Sequence, residues 1–293
     1  MSIWEAIIQG IVQGLTEFLP VSSSGHLSLY QHFTGLSGES GLMFSIILHV
    51  GTLVAVFGAF YRLIWDLIME FFRMIRDIFT GKFSFKNRNP ERNMIFMIIL
   101  ALVPLLIIYF VLGDVYKAVS SDDDILVEGL CFLLTATLLF FADRSIHGTK
   151  TIGQITPRDA LVIGTLQAVA PLPGVSRSGS TIASGLMCGL SKETAVSFSF
   201  ILGIPAILGG SVMELKDITP SDMNLSVGVI IVGLVTSAVV GFLSIKMVQW
   251  LLKANRFKIF AFYTLILGII VTGIGIYEHI CGGNIMTSFG HIL

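Results

Sequence analysis

Apolar residues along this chain come in long blocks, broken by short polar stretches. Six blocks hold the roughly 20 mostly apolar residues a helix needs to cross a bilayer: about 42–61, 94–112, 125–142, 193–213, 226–250 and 257–278. Two further apolar regions behave differently. Residues 3–19 run into the turn Pro20-Val-Ser-Ser-Ser-Gly25 and resume as a short run to about 35. Residues 159–172 run into Pro173-Gly-Val-Ser-Arg-Ser-Gly179 and resume to about 190. Each arm is too short to span, and a polar turn cannot face lipid, because its backbone groups would have no partners. The pattern predicts two re-entrant helix pairs, over 3–35 and 159–190. An ordinary helical hairpin outside the membrane is the alternative.

An internal repeat organises these elements. Shifted by 154 positions, residues 10–48 align without a gap on 164–202, with about 14 of 39 positions identical. Gly10 meets Gly164, Gln13 meets Gln167, Val21-Ser22 meets Val175-Ser176, and Ser24-Gly25 meets Ser178-Gly179. Gly35-Leu36-Ser37 meets Gly189-Leu190-Ser191, Glu39 meets Glu193, and Phe44-Ser45 meets Phe198-Ser199. Each copy holds one re-entrant pair and three spans. Three is odd, so the second copy enters from the opposite side. The expected fold is an all-α integral membrane protein, with six transmembrane helices and two re-entrant helix pairs in an inverted-topology repeat. Residues 1–293 form a single membrane domain, with repeat 1 at about 1–145 and repeat 2 at about 155–280. Sites in such folds lie near the midplane, between the repeats.

Composition agrees with a lipid-facing surface: 54% of the 293 residues are hydrophobic and 13% charged, against roughly 25% charged in soluble domains. The net charge of −1 excludes nothing by itself, but a chain this apolar has no general basic face for nucleic acid. Cys131, Cys188 and Cys281 show neither a disulfide framework nor metal-ligand spacing. The first apolar stretch carries Glu5 and Glu17 and lacks a basic leader, so it does not read as a signal peptide. Basic residues gather in three places: a 62–92 loop (Arg62, Arg73, Arg76, Lys82, Lys86, Arg88, Arg92), the 143–158 connection (Arg144, Lys150, Arg158), and the stretch with Lys246, Lys253, Arg256 and Lys258. The opposite loops carry Lys117 and Lys216 beside Asp122, Asp123, Asp124, Glu214, Asp217 and Asp222. The positive-inside rule makes the basic loops cytoplasmic, with both termini outside.

Chemistry concentrates at the two turns. Glu5, Gln9, Gln13 and Glu17 form an i, i+4 ladder on one helix face. Ionisable groups at membrane depth are costly and usually functional, and Glu17 stands next to a turn; Glu5 reads as a wetted end. Ser22-Ser23-Ser24-Gly25-His26 starts one half-helix and Ser176-Arg177-Ser178-Gly179-Ser180-Thr181 the other. Serines there serve as N-caps or as chemistry. Two helix N-termini meeting at one point make an anion site suited to phosphate. Arg177 adds a planar fork matched to phosphate oxygens; a structural ion pair with Glu17 is the alternative. His26 can attack or move a proton near neutral pH. His49 serves either as support for the site or as packing.

Gln13-Gly-Leu-Thr-Glu17-Phe-Leu-Pro-Val-Ser-Ser-Ser-Gly-His26 and Pro173-Gly-Val-Ser-Arg-Ser-Gly-Ser-Thr181 resemble the two signature motifs of the BacA/UppP family of undecaprenyl-diphosphate phosphatases, tied to bacitracin resistance. The likeness extends over essentially the whole chain. It implies hydrolysis of undecaprenyl diphosphate to the monophosphate and inorganic phosphate, which recycles the cell-wall lipid carrier in the bacterial plasma membrane. It also implies a divalent cation, Mg2+ or Ca2+. Glu17, Ser23, His26 and Arg177 are the implied catalytic set. Ser22, Ser176, Arg177, Ser178 and Thr181 are expected to bind phosphate, and Glu17 and Gln13 the metal. The family has Glu or Gln at the first acidic place; here Gln13 offers a neutral oxygen but no carboxylate. The site is expected to open to the outer side. The attacking group is Ser23 activated by His26 or Glu17, His26 itself, or water. A transporter or flippase for an anionic or polyprenyl-phosphate substrate is the alternative function. The spacings Gly10/Gly14 and Gly185/Gly189 suit close packing within the chain or in a homodimer.

Overall fold

The computed structural model describes residues 1–34, 41–84, 89–120, 124–217 and 225–281. Gly35, Leu36, Ser37, Glu39, Lys86, Arg88, Asp122, Asp123 and Asp222 lie outside the described residues. The described chain is helical throughout: α1 (Ile3–Phe18), α2 (Ser23–Thr34), α3 (Gly41–Ala59), α4 (Tyr61–Phe79), α5 (Pro90–Ser120), α6 (Leu126–Asp143), α7 (Pro157–Gln167), α8 (Arg177–Met187), α9 (Lys192–Glu214), α10 (Val227–Lys253) and α11 (Lys258–Cys281). Helices α5, α6, α9, α10 and α11 are long and apolar enough to cross a membrane, and α3 makes a sixth if it is counted with α4, from which it is bent by 88°. Their outer faces carry exposed apolar side chains such as Phe110, Val111, Val227 and Ile280.

Starts are written in local chemistry. Ser2 and Glu5 form a capping box at α1, and Thr156 and Asp159 form another at α7, with Pro157 in the first turn. Ser176, Ser191 and Ser226 cap α8, α9 and α10. The stretch 62–92, read as a loop from its charges, contains α4. Ile64, Leu67, Glu70 and Met74 are its buried stripe, while Tyr61, Trp65, Phe72 and Phe79 are exposed. Arg62, Asp66, Arg73 and Arg76 occupy the remaining polar arc. Such a helix has three environments round its axis, and counting charges alone hides the 3.6-residue period. Arg92 on α5 locks α4 in place: Nε donates to Glu70 Oε1 at 2.7 Å and Nη2 to Asp77 Oδ2 at 2.8 Å.

Helices pack through small residues. Helix α1 lies along α10, α10 along α3, α5 along α7, and α6 along α11. Gly10 sits against Gly233 and Thr236, and Gly14 against Ser237 and Gly241, so this pair is occupied within the chain. Gly164, the repeat counterpart of Gly10, backs onto the Ala101 carbonyl of α5. The outer ends of α7 and α8 are tied by Lys150, which pairs with Asp159 at 3.0 Å and exchanges backbone hydrogen bonds with Gly189 and Ser191.

These contacts bring the α1–α2 and α7–α8 bends together. Gly25 lies directly on Gly174, and Gly179 lies beside Pro20. Ser178 Oγ donates across to Leu19 O at 3.1 Å. Thr135 of α6 braces the second bend, donating to Gly174 O at 2.9 Å and accepting from Ser176 N at 3.1 Å. Gly174, at φ +92°, turns the backbone where an L side chain would be strained. A Cβ at Gly25 would lie 2.6 Å from the Phe132 ring and 2.8 Å from the Gly174 backbone. Gly25→Ala is therefore expected to destabilise the fold by about 1–3 kcal/mol, read as a lower thermal transition in detergent. An unchanged transition would mean that the bends do not meet this closely.

Candidate functional site

One carboxylate organises the site. Glu17 ends α1, its carboxylate buried where the bends touch. Its Oε1 accepts from Arg177 Nη2, at the first residue of α8. Its Oε2 accepts from Ser23 Oγ at 2.7 Å and from Gln13 Nε2 at 2.9 Å. His49 of α3 brings Nε2 to 3.9 Å of the same oxygen. Because a carboxylate only accepts, Gln13 must turn its NH2 toward Glu17. That leaves Gln13 Oε1 buried with no partner among the described residues.

Arg177 is equally incomplete. Nη2 is paired, yet Nη1 is buried without a partner among the described residues. The guanidinium fits only because α9 carries Gly203 here, where a Cβ would overlap it. First-turn N–H groups of α2 and α8 lack intrahelical acceptors by geometry, and their dipoles favour negative charge at the same place.

The structure sorts the other expected residues. Glu17, Ser23, Arg177 and Gln13 are brought together. His26 faces elsewhere: Nδ1 donates to Ser22 O at 2.7 Å, and Nε2 is 2.7 Å from the Tyr263 hydroxyl on α11. Ser22 and Ser176 act as caps, their hydroxyls accepting from Gly25 N at 3.3 Å and Gly179 N at 3.0 Å. Ser178 bridges to Leu19 O, as above. Thr181 binds Arg177 O at 2.9 Å and Ser199 Oγ at 2.6 Å, one turn behind the bend. These four hydroxyls thus hold the bends, so phosphate binding by their side chains needs partners to be exchanged. His49 lies beside Glu17, as above. Gly203 was missed although a signal existed: it falls on the repeat position of His49, one step past the aligned stretch. Tyr263 was missed because nothing links it to His26 in a chain where 237 positions separate them.

Gly203→Ala should push the Arg177 guanidinium out of register and lower turnover by about tenfold or more. Gly209→Ala, on the same helix with open space round it, should leave turnover unchanged; equal behaviour of the two variants would remove Gly203 from the site.

Comparison with known proteins identifies the family. The family model described as bacitracin resistance protein BacA matches residues 6–270. The chain is 41% identical over 273 residues to an undecaprenyl-diphosphatase of Methanosphaera stadtmanae, covering 92% of this chain and 97% of that one. It is 39% identical over 272 residues to an undecaprenyl-diphosphatase of Alkaliphilus metalliredigens, covering 92% and 98%. It is also 37% identical over 268 residues to undecaprenyl-diphosphatase 4 of Bacillus thuringiensis, covering 91% and 95%. With both bends, their motifs and nearly the full length accounted for, the chain belongs to the bacitracin resistance protein BacA family.

Proposed function

We infer that this membrane enzyme hydrolyses undecaprenyl diphosphate to undecaprenyl phosphate and inorganic phosphate. The observation that carries the reading is the half-used Arg177, whose Nη1 has no partner among the described residues and whose partner carboxylate already accepts the Ser23 hydroxyl. A buried guanidinium nitrogen without a partner calls for an anion. The family supports a phosphatase and does not favour the transporter alternative.

The mechanism follows from the hydrogen bonds. The terminal phosphate enters between the N-termini of α2 and α8 and takes Arg177 Nη1. As Arg177 shares its charge with the phosphate, Glu17 loses part of its counter-ion and becomes more basic. Ser23 Oγ attacks the terminal phosphorus, its proton passing to Glu17 Oε2. The bond from that phosphorus to the bridging oxygen breaks, and its electron pair leaves with undecaprenyl phosphate. Water then attacks the phosphoserine; the Ser23 Oγ–P bond breaks, Glu17 returns its proton to Oγ, and both water protons leave on inorganic phosphate. Ser23 is preferred to His26 as the attacking group because its hydroxyl already donates to a base, whereas both ring nitrogens of His26 are engaged. Catalysis rests on positioning and charge neutralisation, as phosphoryl transfer generally does.

Among the described residues no group of three or more His, Cys, Asp or Glu side chains could hold a metal ion. A substrate-assisted site needs fewer: Mg2+ is commonly held by one or two protein groups together with substrate phosphates. Glu17 and the orphan Gln13 Oε1 are hard oxygen donors that fit this role. A bound Mg2+ or Ca2+ would neutralise charge on the diphosphate there.

The fold reading is that of two inverted repeats with re-entrant pairs α1–α2 and α7–α8, both termini outside and the site opening outward. Its support is pairwise: α1 packs on α10 as α7 packs on α5, and α3 on α10 as α9 on α5. The orientation rests on the positive-inside rule, which assigns the basic residues of α4 and of the 143–158 connection to the cytoplasmic side.

Purified protein in detergent should release inorganic phosphate from undecaprenyl diphosphate, less so with a chelator and again after Mg2+ or Ca2+ is restored. Ser23→Ala and Arg177→Ala should each lower turnover by roughly 10²-fold or more while remaining folded. Full turnover in Ser23→Ala would exclude the serine nucleophile, and acid quenching should trap labelled phosphate on Ser23 in the wild type.

A further inference from the structure

We propose that Tyr263 is a positioning residue that acts on Ser23 through His26, a role resting on the hydrolase reading above. Three linked contacts carry the inference. Ser22 holds a left-handed backbone, φ +71°, that costs energy for a residue other than glycine and persists only where neighbours enforce it. Its carbonyl accepts twice from His26, from the backbone N–H at 3.3 Å and from ring Nδ1 at 2.7 Å. The far side of the ring, Nε2, meets the Tyr263 hydroxyl at 2.7 Å.

A carbonyl can only accept, so the proton of the neutral ring sits on Nδ1 and Nε2 is the lone-pair nitrogen. Tyr263 O–H is then the donor. The phenol therefore selects the tautomer in which Nδ1–H is available to Ser22, as the partner of one ring nitrogen generally decides the state of the other. The ring itself is confined: Phe132 of α6 meets it edge-on at 5.4 Å, and the Tyr263 ring lies within 7° of parallel at 5.8 Å. The chain runs from α11 to Tyr263, to His26, to the Ser22 carbonyl, and so to the peptide that sets Ser23 opposite Glu17. In this arrangement His26 is a strut, and among the described residues Glu17 is the base on Ser23. Tyr263 is 46% exposed, so what it offers His26 is the hydroxyl's hydrogen bond and not deep core packing.

The test uses the full-length protein in detergent with 15N-labelled histidine. At about pH 8, above the ordinary histidine pKa, wild-type His26 should show a protonated Nδ1 and an unprotonated Nε2; the opposite tautomer overturns the proposal without any variant. Tyr263→Phe keeps the ring and removes only the donor. It should shift the His26 Nε2 resonance, lower kcat by about 3- to 10-fold and leave KM nearly unchanged, because Arg177 and the helix ends still hold the phosphate. The kcat effect should vanish when His26 is already Ala, since two residues acting through one path do not add. An unmoved His26 spectrum in Tyr263→Phe, an unchanged kcat, or full additivity with His26→Ala each overturns it. Failure of the hydrolase reading would appear separately, as no phosphate release by the wild type alongside an intact His26–Tyr263 signature.

Discussion

The ion pair between Glu17 and Arg177 joins two bends that the chain reaches 160 residues apart, and the site exists only where they meet. A buried ion pair is a poor device for stability, because desolvating both charges offsets most of their attraction. A buried pair set among helices long and apolar enough to cross a membrane instead marks a functional centre. The surrounding structure serves the encounter. Glycines 25 and 174 let the two backbones touch, Thr135 braces one bend from α6, and Gly203 leaves space for the guanidinium. A methyl group at Gly25 would press against the facing bend, one at Gly174 would press against α6, and one at Gly203 would overlap the guanidinium.

Duplication explains the frame and divergence explains the chemistry. The repeat places Ser23 opposite Arg177, Glu17 opposite Pro171, His26 opposite Ser180, and His49 opposite Gly203. Equivalent positions therefore hold a hydroxyl against a cation, and a bulky imidazole against nothing. A symmetric pair of bends would bring like groups together; the divergent copies bring a carboxylate and a serine from one bend against a guanidinium from the other. The two copies keep what geometry needs, the cap serines Ser22 and Ser176 and the close-packed Gly10 and Gly164.

Helix α4 shows where charge alone misleads. Its arginines mark a cytoplasmic loop by the positive-inside rule, yet Ile64, Leu67 and Met74, with Glu70 among them, form one buried face. Arg92 neutralises Glu70 and Asp77 from the neighbouring helix, so part of the charge that suggested a loop is structural.

Much was legible in the residues themselves. Block lengths set the long helices, because a span must satisfy its backbone internally; capping serines and threonines set their starts; the two polar turns pointed to Glu17 and Arg177, and the family resemblance to Ser23. Local chemistry and periodicity suffice for these, since each depends on neighbours within a turn or two. Direction of contact was decided only by packing. Whether Arg177 met Glu17 or stood alone, that His26 turned to Tyr263 and away from Ser23, and that His49 backed the carboxylate all depend on which helices lie side by side. Those neighbours are distant in sequence, and their partners are set by shape: a missing Cβ at Gly203, a phenol on α11, a glycine contact between bends.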